Sequence, residues 1–316
     1  MKQMANERKS YYANIGNDVV GCSSVDEVMA KAGLDWTVEK RPIFLAGEKT
    51  IPNKFATVRT DTDKVLGIVK GGYEVVQNRD GFNFIDECLG EGITFTKAGT
   101  YNKGERVFVV GEAPSVEVAG DEVHPTILFT NSHDGGGSIN AMFTPMRLIC
   151  ENGLMIPIPG HEKGIVKLRI SHTKHVKDRL EIAKDLIMAN NQYIEALRQR
   201  AEMLTKVEFS DEQFLQLSRE LAAVEVPAEG EEEKITRGQQ SIITDLAAAY
   251  EEEDIARFRG TAWGAILAAS DYDTHKESSR NTGNEEYQFE RVAYGMTMLV
   301  AAYQIIARMT GMGARR

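Results

Sequence analysis

The runs Arg106–Ala113 (RVFVVGEA), Val123–Asn131 (VHPTILFTN) and Ser138–Phe143 (SINAMF) decide the fold of this chain. Each run is short and rich in β-branched and aromatic residues, which is typical of β-strands. Gly104-Glu105 and Gly120-Asp121 supply turn residues ahead of the first two runs. We therefore expect neighbouring antiparallel strands at the centre of the chain.

Further strand-like runs lie on both sides of this centre: 37–47, 54–60, 64–76, 93–101 and 165–171. Two predicted helices lie between these strand-like runs. Ser24 and Glu27 form a capping-box pattern that predicts a short helix ending near Gly33. Asn78 is predicted to cap a second helical stretch, with Gly90 as its end.

The pattern becomes helical after Ser171. Apolar residues mostly three or four apart predict a long amphipathic helix from Val176 to Leu204, and the same spacing in Phe289–Ile306 resembles a heptad seam that could hold a homo-oligomer together. Further helices are predicted over 211–223, 235–253 and 260–269. Strands first and helices later predict an α+β fold. The expected parts are a flexible arm (1–22), a strand-rich domain with a packed helix (23–172) and a helical region (173–316).

Composition indicates a soluble globular protein: of 316 residues, 42% are hydrophobic and 27% charged, with a net charge of −10. No apolar run approaches the ~18 residues of a membrane span, and Met1–Ser10 is too polar for a signal peptide. The three cysteines, Cys22, Cys88 and Cys150, form no Cys-x-x-Cys pair. We therefore expect a reducing, cytoplasmic location and no cofactor.

The basic run His161–Leu180 contains six Lys or Arg and two acidic residues. Because Lys167 and Arg169 alternate with Leu168 and Ile170, a strand here would have one cationic and one mostly apolar face. Such a strand leading into a helix could hold phosphate groups, but a solvated strand face is the alternative. The candidate nucleic-acid contacts are Lys163, Lys167, Arg169, Lys174, His175, Lys177, Arg147, Tyr101 and Lys103. Tyr101 is the aromatic residue that we expect to be most exposed for base stacking.

The stretch Asn131-Ser132-His133-Asp134, followed by three glycines and Ser138, combines turn-forming residues with unusual backbone freedom. Free N–H groups in such a loop could bind an anion or another ligand. Alternatively, it is a hairpin loop in which Asn and Asp side chains cap the backbone.

Four residues have the right side chains for a divalent metal: His133, Asp134, His172 and His175. Their spacing is not specific, so a metal site is the less favoured interpretation. Cys150 lies in an apolar run and is expected to pack as a small hydrophobic residue.

Six segments form a recognisable set: 33–36 (GLDW), 73–78 (YEVVQN), 120–123 (GDEV), 130–135 (TNSHDG), 147–154 (RLICENGL) and 261–275 (TAWGAILAASDYDTH). In this order the chain resembles the "phage/plasmid-like protein" family, a domain of unknown function of bacteriophages, plasmids and prophages. It departs from the family at Gly135–Gly137, where one glycine is usual, and at Gly153, where threonine is common. The resemblance implies a mobile-element context in a bacterial cell and adds Asn152 to the candidate ligand residues.

Three functions agree with these observations. The first is a nucleic-acid-binding protein. The order of elements is similar to that of phage annealing proteins, so we expect it to bind or anneal single-stranded DNA in recombination or replication. The second is a metal-dependent enzyme that uses the His133-Asp134 loop. The third is a non-catalytic accessory protein that binds a host factor through residues 181–316, which carry 24 acidic and 15 basic side chains.

Overall fold

The computed structural model describes residues 16–46, 49–82, 92–147, 156–157, 166–173, 183–225, 234–275 and 296–312. In this part of the chain two antiparallel sheets come first and helices follow. The predicted α+β class is therefore confirmed. The predicted arm lies mostly outside the described residues, and the proposed domain boundaries stay predictions.

The strands, in chain order, are β1 (Asn17–Asp18), β2 (Val38–Phe44), β3 (Thr50–Arg59), β4 (Val65–Lys70), β5 (Thr94–Tyr101), β6 (Arg106–Glu112), β7 (Val116–Val118), β8 (Asp121–Ser132), β9 (Ile139–Arg147) and β10 (Val166–Ile170). The strand runs predicted from the sequence correspond to β2–β6 and β8–β10. The turn between β7 and β8 uses Ala119 and Gly120, both with positive φ, which suits the twist of a tight hairpin.

The larger sheet has the order β1-β5-β6-β8-β9-β10, with β7 also paired to β8. In its centre Val109 lies opposite Phe129, and Phe129 lies opposite Ala141. These three residues belong to the main hydrophobic core. Strand β10, the strand with the predicted cationic face, is an edge strand of this sheet. It pairs with β9 and has no second partner strand among the described residues.

The smaller sheet consists of β2, β3 and β4, with β3 in the middle. Residues 60–64, which include the predicted hairpin loop, join β3 to β4. The pairing between these two strands contains a bulge, because Thr57 is opposite Gly67 whereas Val58 is opposite Val65. One extra residue, Leu66, therefore lies on β4.

The helices, in chain order, are α1 (Val25–Ala32), α2 (Asn78–Gly81), α3 (Ala183–Leu204), α4 (Asp211–Leu221), α5 (Arg237–Tyr250), α6 (Glu253–Ala256), α7 (Ala262–His275) and α8 (Thr297–Met309). Helix α1 confirms its predicted ends: the Ser24 side chain accepts a hydrogen bond from the Glu27 N–H, and Gly33 adopts the left-handed conformation at the C-terminus.

Helix α7 is central to the helical part. Its residues Trp263, Ile266 and Leu267 are fully buried, and they belong to the same core as Phe129 of the sheet. A helix that is buried on all sides is apolar around its whole circumference, which explains the alanine-rich sequence of α7. The sheet and the helices thus share one continuous hydrophobic core.

The predicted oligomer seam is partly used within the chain. Leu299 and Ile306 of α8 are fully buried in the main core, whereas Phe289 and Val292 lie outside the described residues. These two buried positions are not available to a second copy of the chain. In the described ranges, no helix is both long and apolar enough to cross a bilayer.

The small sheet docks on the β8–β9 loop through one of its faces. The Thr57 hydroxyl donates to the His133 carbonyl (2.6 Å), and a Cβ added at Gly67 would lie 2.4 Å from the Asp134 carbonyl oxygen. Gly67 therefore permits a backbone-to-backbone approach that no larger residue allows. Because strand residues alternate, the opposite face, here called the outer face, carries Lys54, Ala56, Ile68 and Lys70.

Candidate nucleic-acid interface

The end of β10 has the alternation that the sequence predicts. Arg169, Ser171 and Thr173 are exposed, whereas Ile170 and His172 are buried. The Arg169 side chain donates from Nε to the Ser138 hydroxyl (2.9 Å). This bond leaves the other two guanidinium nitrogens of an exposed arginine for a further acceptor.

Lys167 lies in the same strand, opposite Met142 of β9. Its backbone is described but its side chain is not. Of the other predicted contacts, Arg147 ends β9 and only its backbone is described. The remaining predicted cations of this region, Lys163, Lys174, His175 and Lys177, lie outside the described residues, and so do Cys150 and Asn152.

The outer face of the small sheet provides a second set of cations. Lys54 of β3 is directly opposite Lys70 of β4, and both residues are exposed. Neither side chain has a hydrogen bond or an ion pair with any described residue. Like charges directly opposite each other destabilise a sheet, so this pair has a cost in the free protein that a bound anion would remove.

Exposed apolar side chains accompany these lysines. Val65 is 56% exposed, Ile68 61% and Phe44 58%. Ile68 lies next to Lys70 on the outer face, and Phe44 lies at the far end of β2. Cations beside accessible apolar surface are the combination that single-strand-binding surfaces use for phosphates and bases.

Residues 71–78 connect the small sheet to the end of β10. The Lys40 ammonium donates to the carbonyls of Gly71 (3.0 Å) and Tyr73 (2.8 Å). The Glu74 N–H donates to the His172 carbonyl (3.1 Å). Residues 71–78 therefore contact both the small sheet and the end of β10, and the side chain of Glu74 in this segment is exposed.

Charge along the chain agrees with this arrangement. Residues 38–73 contain seven Lys or Arg and four Asp or Glu, and residues 166–173 contain two Lys or Arg and no acid. The chain as a whole has a net charge of −10. Some of the cations are already paired, since Arg41 bonds to Glu39 and to Asp63. Lys54 and Lys70 have no such partner among the described residues, so they carry unneutralised positive charge on this sheet.

The glycine-rich loop is capped by its own aspartate. Asp134 Oδ1 accepts from the N–H groups of Gly136 (2.7 Å) and Gly137 (3.1 Å) and from the Ser132 hydroxyl (3.1 Å). Asp134 Oδ2 pairs with Arg106 (2.9 Å). The geometry agrees with the capped hairpin loop, and the carboxylate occupies the position that an external anion would need.

Burial by itself raises the pKa of Asp134, but the Gly136 N–H and Arg106 outweigh it and lower this pKa. The carboxylate therefore stays ionised. Since both of its oxygens already have partners, Asp134 is not free to hold a metal together with His133, as the enzyme hypothesis requires.

His133 belongs to a separate, buried network. Its side chain is fully buried, and Nε2 lies 2.8 Å from Asn78 Oδ1. The Asn78 amide donates to the Leu34 carbonyl (3.0 Å). The sequence predicts Asn78 as a helix cap, but the structure contradicts this: Asn78 is the first residue of α2, and its side chain bridges Leu34 and His133 instead.

His172 is held in the same region by other contacts. Its Nδ1 lies 3.0 Å from the Glu74 carbonyl, and its ring stacks on Tyr73 with 4.7 Å between centroids. The Tyr73 hydroxyl donates to the Ser132 carbonyl (2.8 Å). Burial lowers the pKa of His172, although the bond to the Glu74 carbonyl opposes the shift.

The two histidines influence each other. Burial lowers the pKa of His133 to about 3, and the nearby charge that His172 would carry adds to this effect. Both imidazoles are therefore neutral at pH 7. Such a pair, in a protein with few histidines, is a feature that sequence spacing could not show, because the residues are far apart in the chain.

Two predicted contacts lie at the β5–β6 turn, and one of them is corrected. Tyr101 is only 2% exposed and packs edge-on against Phe108, so the expectation that it is available for stacking is wrong. Lys103 is exposed, and its carbonyl accepts a hydrogen bond from Lys64.

One family model matches the chain. It is described as a domain of unknown function (DUF932), and it covers residues 65–293. The match begins at β4 and includes the β8–β9 loop, β10 and α7. No curated protein and no solved structure matches the chain significantly.

Proposed function

The chain belongs to the DUF932 family, and we propose that it binds single-stranded nucleic acid, with single-stranded DNA as the favoured ligand. The observation that carries the proposal is the pair Lys54 and Lys70. These lysines face each other on an exposed sheet and have no acidic partner in the described part of the chain. Two neighbouring ammonium groups of this kind suit a phosphate backbone.

Arg169 is proposed as a second, separate phosphate contact. Its side chain is exposed at the end of β10 and bonds to Ser138 beside the β8–β9 loop, whereas the two lysines lie on the outer face of the small sheet. The exposed surfaces of Ile68 and Phe44 then favour unpaired bases, because a duplex keeps its bases stacked inside.

A role in recombination or replication of a phage or plasmid is part of the proposal. The motif set shared with phage/plasmid-like proteins supports this context, and the exposed cationic sheet suits strand binding or annealing. The acidic helical half repels DNA, so binding is expected to be confined to the sheet surface.

Fluorescence anisotropy with a labelled oligonucleotide tests the proposal. The full chain is titrated into single- and double-stranded DNA at roughly 50 and 200 mM salt. The double variant Lys54→Ala/Lys70→Ala should weaken single-strand binding and reduce the salt slope by about 0.7 for each phosphate that the protein no longer neutralises. Arg169→Ala should act in the same direction.

The matched control is Lys206→Ala/Lys234→Ala, which removes two exposed lysines from the helical half. This control has the same net charge as the test variant and should bind like the wild type. Equally weakened binding in both double variants would show only a net-charge effect. Binding that does not change between the two salt levels would contradict the proposal.

A further inference from the structure

Unpartnered polar atoms concentrate around the two buried histidines. Among the described residues, six buried side-chain N or O atoms lack a hydrogen-bond partner. Four of them belong to this region: Trp36 Nε1, Asn131 Oδ1, His133 Nδ1 and His172 Nε2. A buried polar atom without a partner costs about 1–3 kcal/mol. Three of these four atoms can accept, whereas Trp36 Nε1 only donates, so the concentration of acceptors at one place indicates a missing ligand.

The hydrogen bonds fix the tautomer of each histidine. The Asn78 amide nitrogen is engaged with Leu34, so Asn78 Oδ1 faces His133 and Nε2 of His133 must carry the proton. The Glu74 carbonyl can only accept, so His172 Nδ1 carries its proton. In both neutral rings the remaining nitrogen, Nδ1 of His133 and Nε2 of His172, is therefore an unprotonated lone pair.

Asn131 is oriented in the same way. Its amide nitrogen donates to the Val76 carbonyl (3.0 Å), which leaves Oδ1 as a third buried acceptor without a donor. The three side chains are anchored on one short segment: His172 on Glu74, Asn131 on Val76 and His133 on Asn78. Thr130 and Arg169 are both opposite Asn140 and share one face of the sheet, so Asn131 and Ile170 lie on the other face, and His133 and His172 follow them two residues later.

This arrangement is the one that metal-binding histidines have. A ligating imidazole donates its other N–H to a carbonyl or a carboxylate, which fixes the ring and the tautomer. Here the Asn78 amide oxygen and the Glu74 carbonyl serve that purpose. Imidazole nitrogen is a preferred ligand of Zn²⁺, Co²⁺ and Ni²⁺, and these ions satisfy several acceptors without needing a hydrogen-bond donor.

We propose that His133 Nδ1 and His172 Nε2, together with Asn131 Oδ1, bind one divalent transition-metal ion of the zinc class. Among the described residues, no three His, Cys, Asp or Glu come together around a metal, so the third protein ligand is the amide oxygen. Water completes the coordination. The site joins β8, β10 and residues 74–78, and it is independent of nucleic-acid binding.

Two substitutions remove the unprotonated imidazole nitrogen and keep the hydrogen bond that orients the side chain. In His133→Gln the side-chain amide takes the place of Nε2–H and still donates to Asn78. In His172→Asn the side-chain amide takes the place of Nδ1–H and still donates to Glu74. His124→Gln is the control, because His124 lies on β8 between Glu112 and Glu122, away from this cluster.

The full chain is freed of metal with EDTA, dialysed and titrated with ZnCl₂ by calorimetry at about pH 7.5, where both imidazoles are neutral. The wild type and His124→Gln should bind one equivalent of zinc and show a rise in Tm on binding. His133→Gln and His172→Asn should bind at least about tenfold more weakly and show no rise in Tm.

Absence of stoichiometric zinc, cobalt or nickel binding by the wild type would overturn the proposal, and the three acceptors would then be served by buried water. Equal zinc affinity in the wild type and both variants would overturn it too. If His133→Gln does not fold, His172→Asn decides the matter, since this residue lies at the periphery of the cluster and retains 6% exposure.

Discussion

Lys54 and Lys70 lie directly opposite each other on β3 and β4, and neither has an acidic partner among the described residues. Two like charges in this position lower the stability of the sheet. The position is therefore unfavourable for folding and favourable for holding an anion, and the two effects can be measured separately.

Lys70→Glu should make the protein more stable and weaken its binding to DNA. The new Glu lies opposite Lys54, so repulsion becomes attraction, with a gain of up to about 1 kcal/mol in the free energy of unfolding. Urea denaturation measures the change in stability, and fluorescence anisotropy measures the change in DNA binding. Lys70→Gln is the control, with intermediate values expected for both. A decrease in the stability of Lys70→Glu would show that the pair is not strained.

The opposition of these lysines cannot be predicted from the hairpin alone. The sequence predicts the Thr60–Asp63 loop and both strands, but the pairing depends on the bulge at Leu66. Without that extra residue, Lys70 would lie opposite Asn53. Alternation within a strand, such as Arg169 exposed and Ile170 buried, is a local property and is predictable; the register between strands is set by tertiary packing.

The histidine cluster shows the same limit. Residue type singles out both His133 and His172, but sequence proximity groups His133 with Asp134. Successive residues at a strand end point to opposite sides, so Asp134 caps the loop whereas His133 enters the buried network with Asn78. The prediction for Tyr101 fails for a related reason, because a turn position does not fix the direction of its ring.

Glu74→Gln should strengthen DNA binding. Glu74 is exposed on the segment that contacts both the small sheet and the end of β10, where its carboxylate repels a phosphate backbone. Removal of one charge at about 8 Å changes the binding free energy by roughly 0.5 kcal/mol, which is about twofold in Kd. The gain should disappear as salt screens the charge. Glu208→Gln, on the helical half, is the control, and an equal gain in both variants would contradict a local effect.

Gly67→Ala should separate the small sheet from the β8–β9 loop. The added Cβ would lie 2.4 Å from the Asp134 carbonyl oxygen and 2.6 Å from its Cα, so the backbones must move apart. We expect a decrease of about 1–3 kcal/mol in the free energy of unfolding, measured by urea denaturation. Gly72→Ala is the control, because a Cβ there meets no atom within 4 Å. Equal stability of the two variants would contradict the tight docking of the sheets.

Asp134→Ala should destabilise the loop and create an anion site. The variant lacks the acceptor for the N–H groups of Gly136 and Gly137 and the partner of Arg106, at a cost of at least about 2 kcal/mol. Sulfate can then occupy the vacated position, so it should raise the Tm of the variant more than that of the wild type. An identical response to sulfate in both proteins would show that the carboxylate does not fill an anion site.

The metal-free protein should become less stable as the pH falls from 7.5 towards 5. The folded-state pKa of His133 is about 3, well below its ordinary value of 6.5, so between these values the unfolded chain binds a proton that the folded chain excludes. The stabilising contribution is complete above pH 6.5 and is lost progressively below it. For one fully buried histidine the loss of stability amounts to about 2 kcal/mol at pH 5, and the lowered pKa of His172 adds in the same direction.

Urea denaturation of the wild type and of His133→Gln measures the difference. The stability of the variant, which has no imidazole at this position, should depend less on pH by about this amount. Parallel curves for the two proteins would mean that His133 can be protonated in the folded state, and the buried network around Asn78 would then have to open to admit the charge.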